Sequence, residues 1–387
     1  MNSKKYIERL RNIPTPFYFY DMDLLRATLD AVASEAGRYG YKIHYAMKAN
    51  FSSRIIAEMK KYGLGMDCVS GGEVRRSIES GIPASEVVFA GVAKSDEEIR
   101  YGLEQGIFSF NCESREELEV INQIAGEMEK TAHIALRINP DVDPMTHKHI
   151  STGKADNKFG ISYQEVDEVI ERLPELKNLH IVGIHFHIGS QITEMKPFES
   201  LSLRCNTIQE WFESKGIELK HINLGGGLGI DYADPATNPI PDFAAYFGVF
   251  GKHLKVRPGQ TVHFELGRSL VGQCGELLTK VLYNKVTASG IRIALVDAGF
   301  TELMRPALYG ASHRIENLTS DATEHLEYMV AGPICESTDV FARGLDLPVT
   351  KRGDLLTLMS AGAYGRAMSS NYNIRCFPEE IFSDDLN

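Results

Sequence analysis

A rhythm runs through the first two-thirds of this chain and limits what it can fold into. Eight apolar, strand-like runs recur: KIHYAMK (42–48), LGMDCVS (64–70), EVVFAGV (86–92), FSFNCES (108–114), HIALRIN (133–139), HIVGIHFHIGS (180–190), HINLGGG (221–227) and TVHFELG (261–267). Between most of them lie helical patterns, among them SSRIIAEMKKYG, GGEVRRSIESG, SDEEIRYGLEQG and REELEVINQIAGEMEK, several opening on Ser or Asp and closing on Gly as capped helices do. Eight strands alternating with helices predict a closed, parallel, eight-stranded α/β barrel of the TIM type. An open doubly wound sheet is the alternative that a count leaves standing.

After about residue 270 the rhythm changes. ELLTKVLYNKV, IRIALVDAG, LEYMVAG and DLLTLMS are strand-like, with little helical pattern between them, and predict an all-β domain. The early aromatic run PTPFYFY (14–20) is β-prone and is expected to join it, and Asp23 is expected to cap a helix running to about Gly37. The expected division is 22–268 for the barrel, with 1–21 and 269–387 forming the β-sandwich or β-barrel domain.

Composition narrows the class. The chain of 387 residues is 43% hydrophobic, enough for a large core, and its net charge of −11 argues against nucleic acid or an anionic membrane surface as partner. MNSKKYIERLRN has no apolar stretch of the kind a signal peptide needs, and no uncharged apolar run approaches membrane-spanning length. The six cysteines are scattered and form no C-x-x-C, which speaks against zinc or a disulfide framework and fits reduced thiols in a cytoplasm.

Placed on a barrel, several polar residues fall at strand ends: Lys48, Asp67, Arg137 with Asn139, His185 and His187, Gly225–Gly227, and Glu265 with Arg268. Ligand sites of such barrels lie at the carboxyl ends of the strands. Lys48 is poorly placed for packing and well placed for chemistry, since a lysine amine in a partly dry pocket forms a Schiff base with an aldehyde such as pyridoxal phosphate. Alone it reads more readily as a surface lysine, and the rest of the chain changes that. The glycine run after the seventh strand falls where barrels often bind phosphate, although a plain tight turn has the same sequence. Glu265 either fixes its loop through Arg268 or keeps a pyridine nitrogen protonated. His187 is a core histidine or a planar surface for a planar cofactor, and the Ser190 hydroxyl suits a phosphate. In the β part, Arg305 offers a fork for a carboxylate. Cys335 is an inert thiol or a proton donor, with Glu336 beside it, and Tyr364 either packs or reaches a phosphate.

Taken together these residues are recognisable. YAMKAN, HISTG…NKFGI (149–161), HIGSQ, GGGLGI, ELGRS, DAG, MRPALYG, GPICESTD and GAYG occur in order over nearly the whole chain. The sequence resembles the diaminopimelate decarboxylase family, pyridoxal-phosphate enzymes of the alanine-racemase-like fold. That resemblance implies pyridoxal 5'-phosphate as cofactor, with Lys48 and Cys335 catalytic. Lys48 would hold the cofactor aldehyde, beside Asp67, with His187 against the ring and Glu265 at its nitrogen. Ser190, Gly226, Gly227, the backbone around Gly267 and Arg268, and Tyr364 would hold the phosphate. Arg268, Arg305 and Tyr309 would grip the substrate's far carboxylate, Glu336 would bind its far amine, and Tyr364 would also contact it. Cys335 would donate a proton from the other subunit of a cytoplasmic homodimer with shared sites. The chain departs from the family pattern at Leu266, where proline is usual, at Phe300-Thr301-Glu302 after DAG, and in the IRCFPEE tail.

The reaction implied is decarboxylation of meso-2,6-diaminopimelate to L-lysine and CO2, the last step of lysine biosynthesis. A decarboxylase acting on ornithine or arginine would need an acid where this chain has Arg305, and Glu265 disfavours a racemase. A non-catalytic cofactor carrier would leave Cys335 and Glu336 without purpose. Segment 149–160 is the candidate for a lid.

Overall fold

The computed structural model describes residues 3–143 and 158–386. The segment singled out as a lid lies for the most part outside them. Seventeen strands occur among the described residues. The first ten are β1 (Phe17–Tyr20), β2 (Lys42–Ala46), β3 (Gly65–Cys68), β4 (Val87–Phe89), β5 (Ser109–Cys112), β6 (Ala132–Asn139), β7 (Ile161–Ser162), β8 (Leu179–His185), β9 (His221–Asn223) and β10 (Thr261–Leu266). The remaining seven are β11 (Gly275–Val286), β12 (Arg292–Val296), β13 (Ile315–Asn317), β14 (His325–Ala331), β15 (Val340–Pro348), β16 (Leu355–Leu358) and β17 (Glu379–Phe382).

Two compact units result: Leu29–Gly229 with Asp242–Gly267, and Met1–Thr28 with Ile230–Pro241 and Arg268–Asn387. In the first, β2, β3, β4, β5, β6, β8, β9 and β10 pair in parallel, and β10 returns to β2 with Glu265 opposite His44. The expected closed barrel is therefore present, and the open sheet is excluded by the β10–β2 pairing.

The helices form where the sequence supplies caps. Ser70 accepts from the Glu73 N–H, Ser95 and Glu98 form a capping box, and Gly106 ends that helix in the left-handed region. Helix Ser53–Lys61 turns Ile55, Ile56 and Met59 inward, the spacing of one helical face. The expected cap at Asp23 is corrected: helix Met22–Gly37 is capped by Asp21, whose Oδ1 accepts from the Leu24 N–H at 3.0 Å. Helix Phe243–His253, capped by Asp242, fills the last crossover and packs Tyr246 and Phe250 on Phe264 of β10.

In the second unit, β13-β16-β11-β12-β14-β15 form one mixed sheet, and β1 adds to β11 and β17. The early aromatic strand thus joins the β unit, as its composition suggested. Its Phe17 and Phe19 pack in a core with Tyr6, Leu10, Leu278, Leu318 and Leu355.

Candidate active site

In the barrel the polar strand ends converge. Lys48 sits in the short turn Met47–Ala49 that follows β2, and its Nζ lies 3.2 Å from Oδ2 of Asp67 on neighbouring β3. Asp67 is wholly buried, and its Oδ1 has no hydrogen-bond partner among the described residues. Glu265, near the end of β10, is also buried and fully engaged. Asn223 donates to its Oε1 at 2.7 Å, Asn111 to the same oxygen at 3.3 Å, and the His185 ring meets Oε2 at 2.9 Å.

Burial dominates the electrostatics. It pushes the Glu265 carboxyl up from the ordinary range, opposed by the Lys48 charge. Asp67 is pushed up by burial and then by Glu265, with Lys48 again opposing. Burial drives His185 and His187 well below the ordinary imidazole value, and the positive charges of Lys48 and Arg137 add to this. The site is therefore a buried recess in which burial disfavours the charged forms of the imidazoles and carboxyls around one lysine. A cavity of about 370 Å³ opens here, lined by Lys48, Arg137, Phe159, His185, His187 and Glu265 among others. That is within the range of small-ligand pockets.

The glycine run closes one side. A Cβ on Gly226 would stand 1.9 Å from the Glu265 carbonyl oxygen, so no side chain fits. The Gly226 N–H donates to His187 Nδ1 at 3.3 Å, which fixes that ring. Gly227, with φ of 108°, adopts a backbone few other residues accept. Its carbonyl accepts from the Ile192 N–H at 2.9 Å, lacing the glycine loop to the turn that carries Ser190. Two backbone turns thus lie side by side at the strand ends. Gly267 ends β10 against the methyl groups of Ala46 and Ala49. Arg137 pairs with Glu113 and stacks over Phe159, while Asn139 caps its own turn through the Asp141 N–H.

The chemistry of this donor set fits an aldehyde-bearing, cationic, phosphorylated aromatic ring. It offers one amine for the aldehyde and a buried carboxyl that can share a proton with a ring nitrogen. The imidazole can present a planar surface to such a ring, and the glycine loop leaves room for its phosphate.

The β unit carries the other expected residues. Arg268 donates to the Tyr232 hydroxyl at 2.7 Å and lies over the Tyr364 ring at 4.8 Å. Arg305 opens the short helix Arg305–Tyr309 and is buried, its guanidinium over the Tyr232 ring at 4.7 Å. Cys335 is exposed, and its N–H donates to Asn373 at 3.4 Å. Glu336 accepts from the Tyr372 hydroxyl at 3.0 Å, and Tyr372 stacks on Phe300. The departure Phe300-Thr301-Glu302 closes on itself: Glu302 Oε2 accepts from the Gly299 N–H at 2.7 Å and the Thr301 hydroxyl at 2.9 Å. Asn111, Asn223, Tyr232 and His313 were not anticipated. Asn111 and Asn223 sit in strand runs whose inward positions are otherwise mostly apolar, a signal that was available.

Residues 23–272 match the family model described as pyridoxal-dependent decarboxylase, pyridoxal binding domain. A Bacteroides thetaiotaomicron protein named diaminopimelate decarboxylase is 52% identical over 98% of both chains, and one of that name from Haemophilus influenzae is 43% identical over 96% of this chain and 88% of its own. Among solved structures, Helicobacter pylori diaminopimelate decarboxylase complexed with L-lysine superposes with a TM-score of 0.91, at 36% identity, covering 97% of this chain and 93% of the other. No helix among the described residues is long and apolar enough to cross a membrane.

Proposed function

The chain belongs to the pyridoxal-dependent decarboxylases, and from that premise we propose that its substrate is meso-2,6-diaminopimelate and its products L-lysine and CO2. One observation carries the choice of substrate. Arg305 is buried and, among the described residues, its guanidinium meets His313 and Tyr232 and pairs with no carboxylate. A substrate with only an ammonium at its far end would be repelled there, whereas a far carboxylate supplies the missing partner.

In this reading 22–268 holds the cofactor, and 1–21 with 269–387 forms the β domain. Bound pyridoxal phosphate supplies an electron-withdrawing ring, which makes loss of CO2 from an amino acid feasible. The chain's own residues do the rest. Lys48 holds the cofactor through its amine, with Asp67 keeping that amine in place. Glu265, oriented by Asn111, Asn223 and His185, keeps a proton at the ring nitrogen. His187 presents its plane to the ring, and Ser190, Gly226, Gly227, Gly267, Arg268 and Tyr364 hold the phosphate. Arg268, Arg305, Tyr309 and Tyr364 grip the substrate, Glu336 takes its far ammonium, and the Cys335 thiol returns a proton to the α-carbon. We place Cys335 in the partner subunit's site, so the working unit is a homodimer, and the six free thiols suit a reducing cytoplasm.

Replacing Arg305 by alanine tests the carrying observation. The holoenzyme should keep its cofactor absorbance but lose kcat/KM for meso-diaminopimelate by about 30-fold to several thousand-fold, the cost of removing a desolvated charge partner. Near-normal kinetics would refute the assignment.

A further inference from the structure

Two side chains behind the arginines have no part in the scheme above. His313 is buried, and its Nδ1 lies 2.9 Å from the Met359 carbonyl oxygen while its Nε2 lies 2.8 Å from Arg305 Nη1. A carbonyl only accepts and a guanidinium only donates, so Nδ1 carries the proton and Nε2 offers a lone pair. The ring is therefore neutral: a second proton on Nε2 would point at a cation. The same conclusion follows from burial and the Arg305 charge, which hold the imidazole down to about 3. Tyr232 stands edge-on to this ring, centroids 5.2 Å apart. Its own face lies 4.7 Å from the Arg305 guanidinium carbon and 5.9 Å from that of Arg268, and its hydroxyl accepts from Arg268.

We propose that His313 and Tyr232 are positioning residues for the substrate's far carboxylate: they hold Arg305 in place without neutralising it, and Tyr232 also meets Arg268 through its hydroxyl. An acid at either position would hold the guanidinium groups equally well but would occupy the charge that the substrate needs. A neutral acceptor and a π-face fix direction and leave the Arg305 charge available to the substrate. Tyr232 also eases a conflict, since two buried guanidinium groups repel: its ring face meets Arg305 while its hydroxyl accepts from Arg268. The inference rests on the far-carboxylate reading of the substrate.

An isosteric pair tests it. His313→Gln keeps a neutral acceptor toward Arg305 and a donor toward Met359, and His313→Glu differs from it chiefly by a negative charge. On holoenzyme, L-lysine affinity is measured by calorimetry, with kcat and KM for meso-diaminopimelate and the melting temperature alongside. His313→Gln should stay within about threefold of wild type in every readout. His313→Glu should weaken lysine binding and raise KM by roughly ten- to a hundredfold, the scale of a charge-assisted hydrogen bond, while still melting near wild type. Cadaverine, which lacks the carboxylate, should not be weakened by either change. Equal lysine affinity in the Gln and Glu proteins would overturn the proposal, because a purely structural histidine makes no distinction of charge. If the fold rejects glutamate, Tyr232→Leu decides: KM about tenfold higher with unchanged kcat supports the proposal, and an unchanged KM overturns it. A wild-type enzyme that turns over ornithine in place of meso-diaminopimelate removes the functional reading, and with it the carboxylate this arrangement serves. Turnover of meso-diaminopimelate by the wild type, with equal lysine affinity and KM in the Gln and Glu proteins, removes the inference alone.

Discussion

His221 opens β9 with both ring nitrogens lacking hydrogen-bond partners among the described residues, packed at 4.0 Å between ring centroids against His263. Burial drives its imidazole well below the ordinary 6.5, and His44, His185 and Lys42 push the same way. In the unfolded chain the ring takes up a proton below pH 6.5, whereas burial in the folded barrel opposes that uptake. The unfolded state therefore binds more protons, and this group's contribution to stability falls as pH drops below 6.5. One proton is worth about 1.4 kcal/mol per pH unit, so 1.5 units below 6.5, at pH 5, the loss is about 2 kcal/mol. Phenylalanine cannot titrate and breaks no hydrogen bond here. His221→Phe should raise stability by about 2 kcal/mol more at pH 5 than at pH 8. For a unit the size of the barrel that difference is about 4–8 °C in melting temperature. Paired calorimetric scans of holoenzyme at the two pH values measure it. The same shift at both pH values would refute the reasoning, since it would mean that the folded barrel protonates His221 freely.

Other expectations follow from the same geometry. Gly226→Ala places a methyl 1.9 Å from the Glu265 carbonyl oxygen, so the backbone must move; melting should fall by the equivalent of about 1–3 kcal/mol, with weaker cofactor binding. Gly248→Ala, in the helix over 243–253 with nothing closer than 3.9 Å, should instead stabilise by about 0.5–1 kcal/mol, and a loss there would count against the packing described. Lys48→Ala should prevent borohydride from fixing the cofactor to the chain, and a labelled peptide elsewhere would move its attachment point.

Much of this was legible in the sequence, for identifiable reasons. The barrel announced itself because its strands are buried on both faces and read as apolar runs, separated by helices with Ser caps and Gly ends. In the β unit, β11, β12, β14 and β16 were readable, but β13 and β17 have only three and four residues and give no period. β15 was hidden because VFARGLDLP is half exposed and interrupted by Gly344 in the left-handed region. The helix over 243–253 escaped because FAAYFGVFGKH is apolar nearly all round, which blurs the helical period. At the site, Lys48, His187 and Glu265 were visible as polar residues on apolar strands. Tyr232 and His313 were not, because each matters only through the arginines it touches, and both lie in loops without pattern.

The central claim is that a carboxylate at the far end of the substrate meets Arg305. Product analysis tests it most directly: purified holoenzyme is offered meso-diaminopimelate, ornithine, arginine and lysine in separate reactions. CO2 and L-lysine from the first alone is the predicted result. Release of CO2 from ornithine, arginine or lysine at a comparable rate would contradict it, because those substrates present no far carboxylate that survives decarboxylation for Arg305 to hold.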